Sequence, residues 1–390
     1  WRGRRRSGPT ASRPEPEESI MLLLVAPGSL KGPRPRGPAE LPAPSRPANH
    51  SALGHRGVPK KLWSFWSDPD SARLPKICQL AAASWQVYAS GYEIHLLHAE
   101  NWNEFLTDAQ ILRGHGPGAG VTATTRDNRF ADWLRAVLLA ELGGVWIDAS
   151  IVLTAPLGLL IHPDAQISGV HLSGMLFETS FIAAAHGSRT MHRWRDEFER
   201  INSLGDSEYE AYLLRLKLNG IEALNGQFND CGWASRSRLH AAAYWIYDKA
   251  VRFVNWLAPI SFFEVHPCGE WYWMRYLNLH VALNSVLGTE AADPGRRWAE
   301  HGVCVQDSRD TLSAVSFETG WDGPRAASYL MTGASKDYDL TAARGIKLRK
   351  EERKAVEAVG ACEEGSAICR IQELVNLRIF PQRQGSAHEL

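Results

Sequence analysis

The chain has 390 residues, with 43 basic and 43 acidic side chains, so its formal net charge is zero. Hydrophobic residues make up 44% and charged residues 22%, which is ordinary usage for a globular protein, and the length admits two or three domains or one large α/β domain with additions. Balanced charge excludes bulk attraction to nucleic acid or to an anionic membrane, and no apolar run reaches the ~18–20 residues of a membrane-spanning helix.

Residues 1–57 are rich in Pro, Gly, Arg and Ser and lack apolar periodicity, which predicts a disordered tail. The chain opens at Trp1 rather than at a methionine, which suggests a truncated start with any anchor or signal upstream of it. Asn49-His50-Ser51 reads as a chance tripeptide unless the chain enters a secretory route. The compartment is open between the secretory pathway, with a missing upstream anchor, and the cytoplasm. The main domain is expected over 58–345, and a helical extension over 346–390.

Leu62–Trp66 reads as a short buried strand closed by a Ser-Asp-Pro-Asp turn. Pro75 opens a helix to about Ser90, with Ile77, Leu80, Ala81, Ser84, Trp85 and Tyr88 at helical spacing. Tyr92–Leu97 alternates like a strand, and Asn101 caps a helix to about Leu112. The glycines at 114, 116, 118 and 120 do not sit between a strand and a helix start, so they form a loop rather than a dinucleotide fingerprint. Asp127 caps a helix to Leu142, Gly143-Gly144 ends it, and Val145–Leu153 is a strand. Strands follow at Ala165–Val170, Phe181–Ala184, 302–306 and 326–332, and helices at 188–203, 207–218, 239–256 and 270–287. Alternating strands and helices predict an α/β fold with a Rossmann-like wound sheet and additional helices.

The chemistry concentrates at 130–150. On the helix, Phe130, Trp133, Leu134, Val137 and Leu138 share one side, and Asp132 and Arg135 lie together on the other. Alone, that pair reads as a surface ion pair. The strand changes the reading. Val145, Trp146 and Ile147 are apolar, as a buried central strand requires, and Asp148 follows at the carboxyl end, where open α/β sheets bind ligands. A carboxylate there can hold a ribose hydroxyl or a divalent cation that neutralises a nucleoside diphosphate. Six cysteines, at 78, 231, 268, 304, 362 and 369, show neither a CxxC pair nor zinc spacing and make no disulfide framework. Fifteen tryptophans are mostly core; Trp271, Trp273 and Tyr276 begin an apolar helix, with an acceptor-sugar platform as the alternative.

The run ADWLRAVLLAELGGVWIDAS resembles the DXD region of a glycosyltransferase family that takes in capsular polysaccharide synthesis proteins, family 32-like sugar-binding proteins and large clostridial glucosylating toxins. Val58–Trp66 (VPKKLWSFW) is similar to the family's opening strand, and Glu178–Ser188 and Ile346-Lys347-Leu348 resemble it more thinly. The resemblance implies a GT-A fold and a retaining transfer from a UDP- or GDP-sugar to a glycan hydroxyl. It implies that Trp66 stacks on the base, that Asp132 and Arg135 hold the donor sugar's hydroxyls, and that Asp148 binds ribose and reaches Mn2+ or Mg2+. Gly144, which opens the strand, and Ser150 complete the implied donor-binding set.

Two positions depart from the pattern. Ser150 stands where the second acid of DXD belongs, and a hydroxyl is a poor ligand for a hard cation; Glu178 or a C-terminal side chain would have to compensate. Thr179 stands where relatives place an asparagine. Lys347 falls where the resemblance puts a phosphate contact, although Lys347, Arg349, Lys350, Arg353 and Lys354 also read as a solvated basic face. No catalytic base is assigned. Two rivals stay open: a non-catalytic nucleotide- or carbohydrate-binding relative, and an unrelated α/β protein.

Overall fold

The computed structural model describes residues 57–70, 73–107, 123–172, 176–205, 208–209, 211–212, 278–287, 298–377 and 379–383. All of them fall in one compact unit, Glu40–Leu390. The tail over 1–56, the glycine loop, the helix at 239–256, most of that at 207–218, and Trp271, Trp273 and Tyr276 lie outside the described residues.

The chain begins with β1 (Lys61–Phe65), α1 (Lys76–Tyr88) and β2 (Glu93–Leu97), then α2 (Ala123–Glu141), β3 (Gly144–Ile147) and β4 (Ile151–Leu153). β5 (Ile167–Leu172), β6 (Leu176–Ala184), α3 (Arg189–Ser203), α4 (Asn278–Leu287) and β7 (Val303–Asp307) follow. The C-terminal part holds α5 (Ala314–Thr319), α6 (Gly323–Met331), α7 (Leu340–Ala343), β8 (Gly345–Lys347), α8 (Lys350–Val359), β9 (Cys362–Glu363), α9 (Ala367–Leu374) and β10 (Gln382–Arg383). Six strands form a mixed sheet in the order β2-β1-β3-β6-β5-β7. The β2-β1-β3 half is parallel, β6 runs antiparallel to both β3 and β5, and β7 is parallel to β5. This is the α/β wound sheet with added helices that the sequence predicts.

Both faces of the sheet are buried, and successive strand residues sort onto them by the two-residue period. Leu62, Val145, Ile147, Phe181 and Ala183 face α1 and the C-terminal helices, in one core with Ile77, Leu80, Ala81 and Trp85. Trp63, Trp146, Ile182 and Ala184 face α2 and α3, in a second core with Leu134, Val137, Leu138, Trp194 and Phe198. α3 is fixed at its start by Ser188, whose hydroxyl accepts from Met191 N at 3.1 Å. Among the described residues no helix is long and apolar enough to cross a membrane.

Several expectations are corrected. The strand expected over Val145–Leu153 is two strands: Ile151 N donates to Asp148 O at 2.9 Å, and the chain turns out of the main sheet. β4 then pairs with β8 in a separate two-stranded sheet, Ile151 opposite Lys347. The domain boundary expected at 345/346 therefore falls inside β8. α2 starts at Ala123, so Asp127 lies within the helix rather than at its cap. The helix expected from Asn101 is a single 3-10 turn, Trp102–Phe105, among the described residues. The strand expected at 326–332 is α6: Asp322 caps it by accepting from Arg325 N at 2.8 Å, and Ala326, Ala327, Leu330 and Met331 are buried at helical spacing. Cys362 and Cys369 form a disulfide, while Cys78 and Cys304 are free.

Candidate active site

β1 and β3 are parallel, with Leu62 opposite Val145 and Trp63 opposite Trp146, so Trp66 and the turn Asp148-Ala149-Ser150 leave the sheet at the same end. β6 enters antiparallel at that end: Asp148 N donates to Ser180 O at 2.8 Å, which brings Glu178 and Thr179 alongside. This is the carboxyl edge where a wound sheet leaves room for a ligand.

Arg135, projecting from α2, organises the edge. Its side chain is buried, with one guanidinium nitrogen 3.1 Å from Asp132 and 3.6 Å from Asp148. The other terminal nitrogen donates to Thr179 O at 2.5 Å, and the guanidinium lies 5.0 Å from the centre of the Trp146 ring. Trp146 Nε1 in turn donates to Asp148 at 3.0 Å. Two carboxylates thus share one guanidinium fork whose orientation is fixed by a carbonyl and an indole. Burial pushes the Asp132 carboxyl up to about 6, with Arg135 opposing the shift and Asp148 adding to it.

Trp66 is part-exposed and packs with Ala149, Leu74, Cys78 and Leu96, so the indole borders the Asp148 turn. Arg353 from α8 lies 5.5 Å from its ring centre. Ser150 is buried, and its carbonyl accepts from Leu348 N at 3.5 Å. That contact and the β4–β8 pairing bring Lys347 and Arg349 to the same turn. Lys347 Nζ lies 3.4 Å from Glu178, which also accepts from Ser180 Oγ and Ser313 Oγ, both at 3.2 Å. Burial alone would raise the Glu178 carboxyl, but Lys347, Arg349 and the hydrogen bond from Ser180 outweigh it and hold it below the ordinary range.

The structure thus brings Trp66, Asp132, Arg135, Asp148 and Ser150 together. Gly144 is not with them: it stands at the opposite end of β3. Its φ is +100°, and a Cβ there would sit 2.6 Å from Lys61 O and 3.0 Å from Trp63 Nε1. Its role is close packing of β3 on β1. Sequence reasoning missed His280 on α4, whose electrostatic neighbours are Arg135, Lys347 and Glu178. Its sequence signal is slight: His280 and Asn284 lie one turn apart on a helix that also carries the polar Asn278 and Ser285.

The donor set does not fit a resident divalent cation. Asp148 is the single carboxylate on its turn and already meets Arg135 and Trp146; Ser150 offers a hydroxyl; Glu178 is engaged by Lys347. Among the described residues no group of three His, Cys, Asp or Glu is placed to hold a metal. Around the turn the carboxylates Asp132 and Glu178 are each matched by a cation, Arg135 and Lys347, and Arg349 lies over the Trp321 ring at 3.9 Å.

The described residues thus place two carboxylates, an arginine fork and an indole at the carboxyl edge of a wound α/β sheet. Residues 48–173 match the family model described as capsular polysaccharide synthesis protein. That segment is about a third of the chain, and it contains Trp66, Asp132, Arg135, Asp148 and Ser150 but not Glu178, His280 or Lys347. The solved structure described as "PaToxG Glycosyltransferase" aligns over 60% of this chain and 88% of that chain, at 11% identity and a TM-score of 0.30. No curated protein matches the chain.

Proposed function

We propose that the protein transfers a sugar, with retention, from a nucleoside-diphosphate sugar to a hydroxyl of a glycan or polysaccharide acceptor. The observation that carries this reading is the shared fork: Arg135 reaches Asp132 at 3.1 Å and Asp148 at 3.6 Å at the carboxyl edge of the sheet. In this reading Asp132 accepts from the donor sugar's hydroxyls and Arg135 donates to them, which fixes the ring's orientation. Asp148 holds the ribose, and Trp66 offers its face to the base beside Arg353. In the same reading Lys347, Arg349 and Arg135 meet the two phosphates as the leaving group departs, so positioning and electrostatics supply the rate without a protein nucleophile. A manganese or magnesium ion carried by the diphosphate itself would be held on the protein side through Asp148, since magnesium sites commonly combine one or two carboxylates with substrate phosphates.

Calorimetric titration with UDP and with GDP, each with and without manganese, tests the reading. Binding of one nucleotide in the micromolar range, followed by hydrolysis of the matching nucleotide-sugar, is the expected result. Absence of binding by either nucleotide would overturn it. Nucleotide binding with no transfer and no hydrolysis across a panel of donors would instead favour a binding-only relative, the reading that Ser150 keeps alive.

A further inference from the structure

α4 packs on β6 and on α3 and is held there by two indole and amide contacts. Trp194 Nε1 donates to Leu279 O at 2.7 Å, and Asn278 Nδ2 donates to Asn202 at 2.8 Å. Leu279, Ala282, Leu283, Val286 and Leu287 form its buried stripe. His280 and Asn284 lie one turn apart, so their side chains are neighbours. Each residue is part-exposed, yet His280 Nδ1 and Asn284 Nδ2 are sealed from solvent with no hydrogen-bond partner among the described residues. A buried polar atom left unpaired costs about 1–3 kcal/mol, and two on neighbouring side chains are a cost that a ligand's hydrogen-bonding groups would relieve.

The neighbourhood says which groups. Burial, reinforced by Arg135 and Lys347 and opposed by Glu178, pushes the His280 imidazole down to about 3, so the ring is neutral. A neutral imidazole both donates and accepts, and a carboxamide nitrogen donates. Phosphate would be taken by the cations Arg135, Lys347 and Arg349. Uncharged groups that donate and accept at helical-turn spacing match the hydroxyls of a pyranose ring.

We infer that His280 and Asn284 form a sugar-binding subsite that hydrogen-bonds adjacent hydroxyls of a pyranose beside Arg135 and Glu178. The inference rests on the transferase reading above, and the pyranose comes either from the donor or from the acceptor.

The test combines imidazole NMR on histidine-labelled wild-type protein with binding to His280→Ala and Asn284→Ala. The probes are UDP and GDP alone, UDP-glucose, UDP-galactose, UDP-N-acetylglucosamine and GDP-mannose, and the corresponding free oligosaccharides. The nucleoside diphosphate alone should bind both variants within twofold of wild type and leave the His280 nitrogens unmoved. Addition of one nucleotide-sugar should shift the His280 signals, and its affinity should fall about tenfold in each variant, which assigns the donor sugar. The same shift with an oligosaccharide assigns the acceptor sugar, and supports the subsite equally. Wild-type protein that binds nucleotide but shows unmoved His280 signals with every sugar probe overturns the subsite alone. Wild-type protein that binds no nucleotide overturns the transferase reading and the subsite with it. The NMR arm needs no variant, so a substitution that fails to fold leaves the outcome decided.

Discussion

Lys347 reaches across from β8 to place its ammonium 3.4 Å from the carboxylate of Glu178 on β6, a residue 169 positions earlier in the chain. Glu178 is almost fully buried and Lys347 largely so, which makes this a structural pair as well as a wall of the cleft. The net value of a buried pair is small, because desolvation offsets attraction, but removing one partner strands the other. Lys347→Met should therefore cost about 3 kcal/mol in urea unfolding, and the double variant Glu178→Gln/Lys347→Met should recover most of it. The Glu178 carboxyl is depressed in the fold, so its contribution is present above the unfolded carboxylate range and is lost as pH falls through the folded value. Equal stabilities for the single and double variants would show that the two groups do not depend on each other.

Asp132 has the opposite sign. Unfolded, its carboxyl ionises at the ordinary 3.8; in the fold it ionises at about 6, because burial outweighs the help from Arg135. Between those values the folded protein keeps a proton that the unfolded chain has lost. Stability linked to Asp132 is thus full near pH 4 and declines as pH rises through 6, by on the order of 3 kcal/mol. Asp132→Asn should accordingly be the more stable protein at pH 8, with the gap closing towards pH 4, while donor hydrolysis falls at least 100-fold. A gap that does not change with pH would refute the buried-carboxylate account.

Arg135 makes demands that lysine cannot meet. Its fork serves Asp132, Asp148 and Thr179 O together while its plane lies on Trp146. A lysine keeps the charge but supplies neither the second arm nor the stacking plane. Arg135→Lys should drop kcat/KM for the donor by two or more orders of magnitude with the fold retained, and Asp148→Ala should do the same. Near wild-type turnover in a folded Asp148→Ala protein would remove Asp148 from the site.

What the sequence made legible is what is local. Asp132, Arg135, Gly143-Gly144 and Asp148 lie within one helix-turn-strand unit, and helical spacing plus an apolar strand place them correctly without knowledge of the rest of the fold. The turn at Asp148–Ser150 was not legible as a break, because β4 leaves the sheet for a partner, β8, that lies far along the chain. In the sequence Glu178 stands as a spare metal ligand, and only the arrival of Lys347 shows it occupied. His280 carries no motif; its meaning depends on Arg135, Glu178 and Lys347, three groups from three other elements. The strand-helix error at 326–332 has a similar cause. Ala326-Ala327-Ser328 has no period of its own, and the Asp322 cap decides it.

The disulfide between Cys362 and Cys369 ties β9 to α9, and both cysteines sit in the core that also holds α1, α6 and the β4–β8 pair. Their separation of seven residues closes a short loop, for which chain entropy gives about 2.5 kcal/mol. Cys369→Ser, or reduction of the wild-type protein, should lower unfolding free energy by about that amount and leave Cys369→Ser insensitive to reductant. Cys78 is buried among Leu74, Ala149 and Trp66, and burial pushes its thiol up to about 12, so it should not react in the native state. Free thiols at both Cys362 and Cys369 in the denatured, non-reduced protein, read by alkylation and peptide mapping, would exclude the bridge.

Gly144 separates packing from chemistry at the two ends of one strand. Its φ of +100° is a region that other residues rarely adopt, and an added Cβ would meet Lys61 O at 2.6 Å, backbone that belongs to the neighbouring strand. Gly187 also has a positive φ, +75°, but a Cβ there would meet nothing within 4 Å. Gly144→Ala should thus cost about 3 kcal/mol or more, the sum of backbone strain and overpacking, while Gly187→Ala costs only the strain of about 1–2 kcal/mol. Because β3 runs from Gly144 to the Asp148 turn, any folded Gly144→Ala protein should show a lower unfolding midpoint together with unchanged nucleotide affinity. Loss of affinity without loss of stability would put Gly144 back among the donor-binding residues.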